Sequence, residues 1–451
     1  MQNKETFGSK FAIIAAMAGS AIGLGNIWRF PYVIGENGGA AFIIIYIAAS
    51  LFLSIPIFIA EFTIGRRSGA NCFGALNTLA PHKSWKFTGM LCIITPTIIL
   101  SYYSVVGGWS IEYLFQALTL QFLNPSENVA GSFEAFIGAP AAPLVTFLIF
   151  LALTCLIVAG GLHKGIEKFS KIAIPVLFFL ILGLAVYSFT IKGGAEGIRY
   201  LVSPDFSKLT PRSFANAIGQ SFYSISLGMG IIITYSSYVS KDDNMFMSGL
   251  GTAGFDLIFA LLAGFAIMPA VFAAGIGPGS GPGLIFDTLP FIFSDMCKSA
   301  PILGSIVGIT FFLTVTIAAL TSSVSLLEVP VAWMIEEKHV KRSSAIAIVF
   351  VIVAILGSAS ALAYGPLKNI TISGYGIFDA VDIFCCNFLL PLGGLLCVIF
   401  VGWVMKKSDV EDEFTSGGKY GFNSRIFPFV YFLERFLAPL AIGIIVLANF
   451  F

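Results

Sequence analysis

Eleven long apolar runs follow one another along this chain, separated by short polar connectors. A transmembrane helix needs about 20 consecutive, mostly apolar residues, so each run predicts one membrane span. The spans are expected at residues 10–36, 39–66, 87–121, 141–160, 166–191, 212–239, 246–274, 302–337, 343–363, 375–405 and 426–450. The pattern therefore predicts an all-α polytopic membrane protein.

The first apolar run is interrupted between Ala15 and Pro31, AAMAGSAIGLGNIWRFP. Glycine disfavours a helix interior by about 1 kcal/mol per residue, and it lets a ligand approach the backbone. Non-helical backbone survives at membrane depth only where it lines a protein cavity. The segment thus predicts a broken span that forms a binding site. A tight helix-packing face of small residues is the alternative, but it leaves Asn26 and Arg29 unexplained.

A second interruption lies in the sixth run, at residues 221–230, SFYSISLGMG. Since the two interrupted spans are five apart, they cross the membrane in opposite directions. This arrangement is typical of inverted repeats that place a transport site at the membrane midplane. We therefore expect one domain over residues 1–451. Its first repeat would be 1–191 (spans 1–5), its second 212–405 (spans 6–10), and 426–450 would form an additional eleventh span.

Composition supports a membrane protein and excludes several other classes. The chain is 57% hydrophobic and 11% charged, whereas soluble domains are about 25% charged. A net charge of +1 argues against a nucleic-acid partner. The seven cysteines and three histidines show no metal-ligand spacing, and no nucleophile–base pair or cofactor motif indicates an enzyme.

Lysines and arginines concentrate in the connectors between spans 2 and 3, 4 and 5, 8 and 9, and 10 and 11. The positive-inside rule then predicts a cytoplasmic N-terminus and an external Phe451. No cleavable signal peptide precedes span 1. The long outer connectors 192–211 and 275–301 are either caps over an entry path or plain surface loops.

Oxygen atoms suited to sodium occur at three places: the span 1 break with Asn26, the hydroxyls of span 6, and residues 318–323 of span 8. Freed carbonyls at a helix break attract cations, and freed amides attract anions. The alternative for Thr321 and Ser322 is that their hydroxyls bond to carbonyls one turn earlier in the same helix.

Charged residues within spans are rare and indicate functional sites. Arg29 and Asp382 would either close the outer entrance as a pair or form a static ion pair. Asp256 is a candidate cation ligand or proton carrier. Glu61 is expected to accept hydrogen bonds from amides freed at a helix break.

The segment from Gly19 to Phe42, GSAIGLGNIWRFPYVIGENGGAAF, resembles the start of the neurotransmitter:sodium symporter family, in its bacterial eleven-span amino-acid branch. The likeness continues in Glu61-Phe62, Gly65-Arg66, Tyr102-Tyr103, SLGMG of span 6 and ALTSSVSLLE of span 8, and it covers about residues 4–405. It implies the LeuT fold, a five-plus-five inverted-repeat bundle, and sodium-coupled uptake of amino acids or related amines.

The resemblance implies two sodium sites. The first would use the Ala21 carbonyl, the side chains of Asn26, Ser224 and Asp256, and the substrate carboxylate. The second would use the carbonyls of Gly19, Ile22 and Ala318 and the hydroxyls of Thr321 and Ser322.

The implied substrate pocket has Tyr103 bonding the substrate carboxylate and Tyr223 as a lid. Its expected members are Ser20, Ala21, Gly23, Leu24, Gly25, Ile99, Tyr103, Tyr223, Ser224, Ser226, Met229, Ser323 and Leu326. The resemblance further implies an outer gate of Arg29, Asp382 and Gln220, and an inner latch of Lys4, Glu336 and Tyr238. Gly165 and Pro175 resemble a family motif that unwinds span 5.

The chain departs from the family pattern at informative positions. Gly23 stands where amine-transporting members have an aspartate, so the substrate is expected to bring its own carboxylate. Asp256 stands where many members have asparagine, and Ala260 replaces a serine of the chloride-dependent members. We therefore expect that Asp256 supplies the negative charge and that chloride is not required. The twelfth span of many relatives is absent.

The expected partners are a small amino-acid substrate and membrane lipid, with no obligatory protein partner. The pocket residues Met229, Leu326 and Ile99 favour large hydrophobic or aromatic L-amino acids, since methionine adapts to bulky groups. The rival functions are a membrane sensor that binds an amino acid without translocating it, and an ion channel.

Overall fold

The computed structural model describes residues 6–81, 84–121, 131–275, 285–286 and 288–448, and helices account for most of them. Each predicted span corresponds to one helix or to a series of consecutive helical segments. Spans 1 to 5 are Lys10–Ala21 with Gly25–Glu36, Ala40–Ser68, Lys86–Leu118, Ala142–Ala159 and Leu162–Ser188. Span 6 is Pro211–Ser224 with Ile231–Ser236, and spans 7 to 10 are Met245–Ala273, Pro301–Lys338, Arg342–Ala361 and Ile377–Val404. Span 11 comprises Gly421–Phe432, Leu433–Leu437 and Ala438–Ala448.

Within these described residues, nine helices are long and apolar enough to cross a membrane, and the two halves of span 1 together make a tenth. The halves of span 1 meet at an angle of 48°. Span 6 divides into segments of 14 and 6 residues. The two predicted interruptions are therefore confirmed.

The break in span 6 depends on unusual backbone angles. Ser226, Gly228 and Gly230 all have positive φ, at 57°, 77° and 69°. At Gly228 a side chain is also excluded by packing, because a Cβ would lie 2.0 Å from the Leu390 carbonyl of span 10. Glu61 of span 2 accepts a hydrogen bond from the Gly228 amide at 2.6 Å. The expected support of a freed amide by Glu61 is thus confirmed.

Both long outer connectors contain packed helices. In the first, Ala195–Val202 is followed by a short Phe206–Lys208 turn, and the Tyr200 hydroxyl donates to the Gly35 carbonyl of span 1. In the second, Thr288–Ser299 packs on span 8, and the Phe293 ring lies 5.6 Å from Phe311. Of the two alternatives, the described residues favour caps; residues 276–284 lie outside them.

Shorter helices Cys72–Leu79, Ser132–Gly138 and Lys407–Thr415 join other spans. Apart from span 1, the span boundaries differ from the expected ones by one to five residues, and two of these shifts have a visible local cause. Span 10 starts at Ile377 rather than 375, because Tyr375–Gly376 pairs as a strand with Thr371–Ile372. Span 11 starts at Gly421 rather than 426, because its first turn is held by Asn423, whose amide donates to the Phe414 carbonyl.

The Lys407–Thr415 helix is clamped to the inner end of span 2. Arg66 donates to the Glu413 carboxylate at 2.8 Å and to the Asp243 carbonyl at 2.7 Å. The side chains of Arg66 and Glu413 are 0% and 3% exposed. Lys241 also pairs with Glu413. This clamp joins span 2, the span 6–7 connector and the span 10–11 connector.

Candidate substrate and ion site

A small cavity lies between the breaks in spans 1 and 6 and faces spans 3 and 8. Its volume is only about 20 Å³, roughly the room that one water needs. Its lining is Ser20, Ala21, Gly23, Gly25, Ile99, Tyr103, Tyr223, Ser226, Met229, Ser322 and Leu326. Ten of these are predicted substrate-binding residues, and Ser322 is the addition. A substrate larger than water enters only after lining side chains move.

Three residues predicted for the pocket do not line it. The Leu24 amide donates to the Tyr103 hydroxyl at 3.1 Å, and Ser224 faces Asp256. The Ser323 hydroxyl bonds with Thr154 of span 4 at 2.8 Å, on the other side of span 8. Successive helix residues point in different directions, so only Ser322 of this hydroxyl run reaches the cavity.

The residues expected at the first sodium site lie together. The Asn26 amide donates to the Asp256 carboxylate at 2.7 Å. The Ser224 hydroxyl donates to the same carboxylate at 2.8 Å and 2.9 Å. Tyr46, which was not among the expected sodium ligands, donates to it at 3.3 Å. All four side chains are buried, and Ala21 lines the adjoining cavity. The site thus offers hard oxygen atoms, the ligand type that alkali and alkaline-earth cations prefer.

Four of the five residues expected at the second sodium site also meet. The Thr321 hydroxyl donates to the Ala318 carbonyl at 2.8 Å and to the Ile22 carbonyl at 3.1 Å. A methyl group on Gly19 would lie 3.6 Å from the Thr321 Cβ. Ser322 instead donates to the Ser20 carbonyl at 3.0 Å. Thr321 therefore makes both the bond to its own helix and the contact with span 1.

Ser325, which the sequence-based prediction missed, donates to the Ser20 hydroxyl at 2.8 Å and thereby ties span 8 to the span 1 break. Ser20 in turn bonds to the Ser226 hydroxyl at 3.1 Å. Ser325 follows Ser322 by three residues, a spacing that places both on one helix face. That spacing is the feature of the sequence from which the contribution of Ser325 could have been predicted.

On the outer side, Arg29 and Asp382 are not in direct contact. Among the described residues, no ion pair within 4.0 Å joins them. The Arg29 guanidinium lies 5.0 Å from the centre of the Tyr223 ring, and Asp382 accepts a hydrogen bond from Cys386. Gln220 donates to the Gly25 carbonyl at 3.0 Å. A wide outer cavity begins above them, lined in part by Trp28, Tyr32, Trp109, Phe378 and Asp382.

On the inner side, the chain before span 1 packs against the end of span 6. The Phe7 amide donates to the Tyr238 carbonyl at 3.1 Å. The Tyr238 hydroxyl donates to Glu328, while Glu336 accepts from the Asn71 amide at 2.7 Å. The third member of the expected latch, Lys4, lies outside the described residues.

Span 5 is helical from Leu162 to Ser188, and its first turns, Leu162–Glu167, are wound as a wide π-helix. Gly165 and Pro175 both lie within this helix, so the expected unwinding is not seen here. Gly165 packs closely on span 4, because a Cβ there would lie 2.1 Å from the Ile157 carbonyl.

The sequence model of the sodium:neurotransmitter symporter family matches residues 4–129 and 132–451. The chain belongs to this family. The symporter is 37% identical over 447 residues to the uncharacterized sodium-dependent transporter YhdH of Bacillus subtilis, covering 99% of this chain and 98% of that protein. It is 35% identical to an uncharacterized sodium-dependent transporter of Haemophilus influenzae, covering 100% and 99%.

Among solved structures, the symporter is similar to MhsT in complex with L-phenylalanine. The TM-score is 0.91 at 44% sequence identity, and the match covers 99% of this chain and 100% of the other. The symporter therefore has the LeuT fold of inverted repeats, as the resemblance implied. It is a sodium-coupled multi-pass membrane transporter of a small-molecule substrate and not an enzyme.

Proposed function

We propose that this symporter imports L-amino acids with large hydrophobic or aromatic side chains together with sodium. The observation that carries the proposal is the crowding at Gly23. A Cβ at this position would lie 2.2 Å from the Ser322 hydroxyl and 2.8 Å from the Tyr103 hydroxyl. An aspartate therefore does not fit here, and the pocket has no acid of its own at this point to hold an amine. A substrate that brings its own carboxylate suits the pocket.

The carboxylate would bind where span 1 is broken. The Tyr103 hydroxyl oxygen accepts from the Leu24 amide, which leaves its proton available for the substrate. The Asn26–Ser224–Asp256 cluster lies beside this point, so one sodium ion there would contact both the protein and the carboxylate. A second ion would bind near Thr321. Two sodium sites are part of the proposal.

The side-chain preference follows from the apolar remainder of the cavity. Ile99, Met229 and Leu326 contribute hydrocarbon and thioether surface, and Tyr223 covers it. Bringing an aromatic ring into such surroundings is favourable at about 25 cal/mol per Å² buried. The L-phenylalanine bound in the MhsT complex is consistent with this preference.

Uptake by the purified transporter in proteoliposomes tests the proposal. An inward sodium gradient should drive accumulation of labelled L-phenylalanine, and unlabelled hydrophobic and aromatic amino acids should compete more strongly than small or charged ones. In the control, an inward potassium gradient replaces the sodium gradient. Binding without accumulation would instead establish the sensor function, and channel-like unitary currents would establish a pore.

Variants test the shared ion site. We expect Asn26→Ala and Ser224→Ala to raise the sodium concentration for half-maximal uptake and to weaken substrate binding together, because one ion contacts the carboxylate. Thr321→Ala should raise the sodium requirement with less effect on substrate affinity, because its site does not touch substrate. Equal effects of all three variants on both affinities would contradict the assignment.

We also propose that Asp256 makes chloride unnecessary. Its carboxylate is held by Asn26, Ser224 and Tyr46, and so provides a fixed negative charge where a chloride ion would otherwise balance sodium. Replacing chloride with gluconate should leave wild-type uptake unchanged. Asp256→Asn should make uptake dependent on chloride. Loss of wild-type uptake in gluconate would refute this proposal.

The remaining part of the proposal concerns the membrane in which the chain lies and its orientation there. The basic connectors between spans 2 and 3, 8 and 9, and 10 and 11 favour a cytoplasmic N-terminus and an external C-terminus in a bacterial inner membrane. Protease or thiol-reagent access to tags at the two termini in intact cells would test this orientation.

A further inference from the structure

The inner end of span 10 and the adjoining middle part of span 11 form a cationic, aromatic surface that the transport site does not use. We propose that this surface, defined by Trp403, Lys407, Tyr431 and Arg435, binds the headgroup of an anionic phospholipid. The proposal is independent of the amino-acid substrate, because these residues lie at the protein edge and not at the central cavity.

Arg435 is the central residue of the proposed site. It sits in the π-helical part of span 11, and its guanidinium lies 4.6 Å from the centre of the Trp403 ring and 5.6 Å from that of Phe436. Its buried Nε atom has no hydrogen-bond partner, and among the described residues no carboxylate lies within 4.0 Å of it. An unpaired arginine in a membrane helix is costly and is normally matched by an anion.

The surroundings of Arg435 are ordered by contacts between the two spans. The Trp403 indole N–H donates to the Arg435 carbonyl at 3.0 Å, and the Tyr431 hydroxyl donates to the Gly402 carbonyl at 3.1 Å. A Cβ on Gly402 would lie 3.0 Å from the Arg435 Cα, so the helices touch here. The positions of the aromatic and cationic groups therefore depend on helix packing and not on loop conformation.

Lys407 adds a second cation to the same face. Its ammonium lies 5.9 Å from the Phe427 ring centre and 5.8 Å from that of Tyr431, one turn before Arg435 on span 11. Of the carboxylates of its own helix, Asp409 and Asp412 pair with Arg67 and Glu413 pairs with Arg66, while Glu411 forms no ion pair within 4.0 Å among the described residues. Within the described residues, neither Lys407 nor Arg435 has an acidic partner.

The location suits a lipid headgroup. Span 10 ends at Val404, so Trp403 is at the membrane–water interface, where tryptophan is typical, and its side chain is 56% exposed. Basic groups at this depth attract anionic lipids. A phosphatidylglycerol phosphate, with net negative charge, would accept from Arg435 and Lys407. The choline cation of phosphatidylcholine would be repelled by the same two groups.

A lipid titration of the full-length transporter in detergent tests the proposal. We expect phosphatidylglycerol to raise the thermal unfolding temperature of the wild type in a saturable way, and phosphatidylcholine to raise it much less. Arg435→Gln and Lys407→Gln should each weaken the apparent affinity for phosphatidylglycerol at least fivefold, the factor equivalent to about 1 kcal/mol per cation. Arg199→Gln, an exposed arginine on the opposite side, is the matched control and should change nothing.

Lys407 is exposed, so Lys407→Gln decides the question if Arg435→Gln fails to fold. Equal stabilisation by both lipids would overturn the proposal, as would wild-type phosphatidylglycerol affinity in the variants. Stabilisation by inorganic phosphate at the same concentrations would assign the site to a free anion and would also overturn it.

Discussion

Gly23 lies at the point of the cavity where the absence of a side chain matters most. Its neighbours Ser322 and Tyr103 leave no room for a Cβ, and both are polar groups that line the substrate cavity. The glycine is therefore required by space. Under the proposed function, the missing carboxylate at this position favours a substrate that brings its own carboxylate over an amine.

We expect Gly23→Ala to reduce sodium-driven uptake at least tenfold, because the added methyl group displaces Ser322 or Tyr103 from the carboxylate position. A loss of about 1.4 kcal/mol in substrate binding already accounts for a factor of ten. Gly183→Ala in span 5 is the control, since a Cβ there meets no atom within 4 Å. Uptake measured in proteoliposomes at matched protein amounts checks this; unchanged uptake in Gly23→Ala would contradict the crowding argument.

The sequence indicated only in part which hydroxyl of the span 8 run faces the cavity. The run from Thr321 to Ser323 indicated oxygen ligands, but three consecutive helix residues face three directions. Which of them reaches the cavity depends on how span 8 is rotated against span 1. The structure turns Ser322 toward Ser20 and Ser323 toward Thr154.

At the scale of elements, the broken span 6 depends on one carboxylate. Glu61 is fully buried and accepts from the Gly228 amide, which would otherwise lack a partner at membrane depth. Leaving a buried amide without a hydrogen-bond partner costs about 1–3 kcal/mol. The carboxylate thus compensates for the interrupted helix.

We therefore expect Glu61→Leu to destabilise the transporter by about 1–3 kcal/mol, because the Gly228 amide loses its acceptor. Glu61→Gln keeps an acceptor oxygen on a side chain of the same length, so this variant should retain most of the wild-type stability. Thermal unfolding of the purified variants measures the difference. If leucine and glutamine behave alike, the hydrogen bond is not what stabilises the break.

The existence of both breaks was predictable, because glycines and hydroxyls inside an apolar run are incompatible with an ordinary lipid-facing helix. The packing of the connectors was not. Whether 192–211 and 275–301 are caps or loops depends on contacts such as Tyr200 with span 1 and Phe293 with span 8. Those contacts join residues far apart in the chain.

For the whole molecule, the Arg66–Glu413 clamp holds the inner end of span 2 to the span 6–7 and span 10–11 connectors. Glu413→Ala leaves the buried Arg66 without its carboxylate, and removing one partner of a buried ion pair costs about 3–5 kcal/mol. Asp242→Ala removes an exposed ion pair with Lys419. The Asp242 side chain is 84% exposed and the Lys419 side chain 50%, so the loss should cost at most about 1 kcal/mol.

Thermal unfolding of the two variants in the same detergent compares these costs directly. We expect the transition of Glu413→Ala to shift by several times that of Asp242→Ala. Similar small shifts in both would show that the buried pair is not the main restraint on the Lys407–Thr415 helix.

The sequence alone determined the membrane class, the number of spans, the two interruptions and the family, because these depend on hydropathy along the chain and on local backbone requirements of glycine and hydroxyl residues. Tertiary structure decided which side chains meet. The Asn26–Ser224–Asp256 cluster, the separation of Arg29 from Asp382 and the surface at Trp403 and Arg435 depend on the relative rotation and depth of packed helices. Periodicity within one span does not specify that rotation, since it arises from contacts between spans.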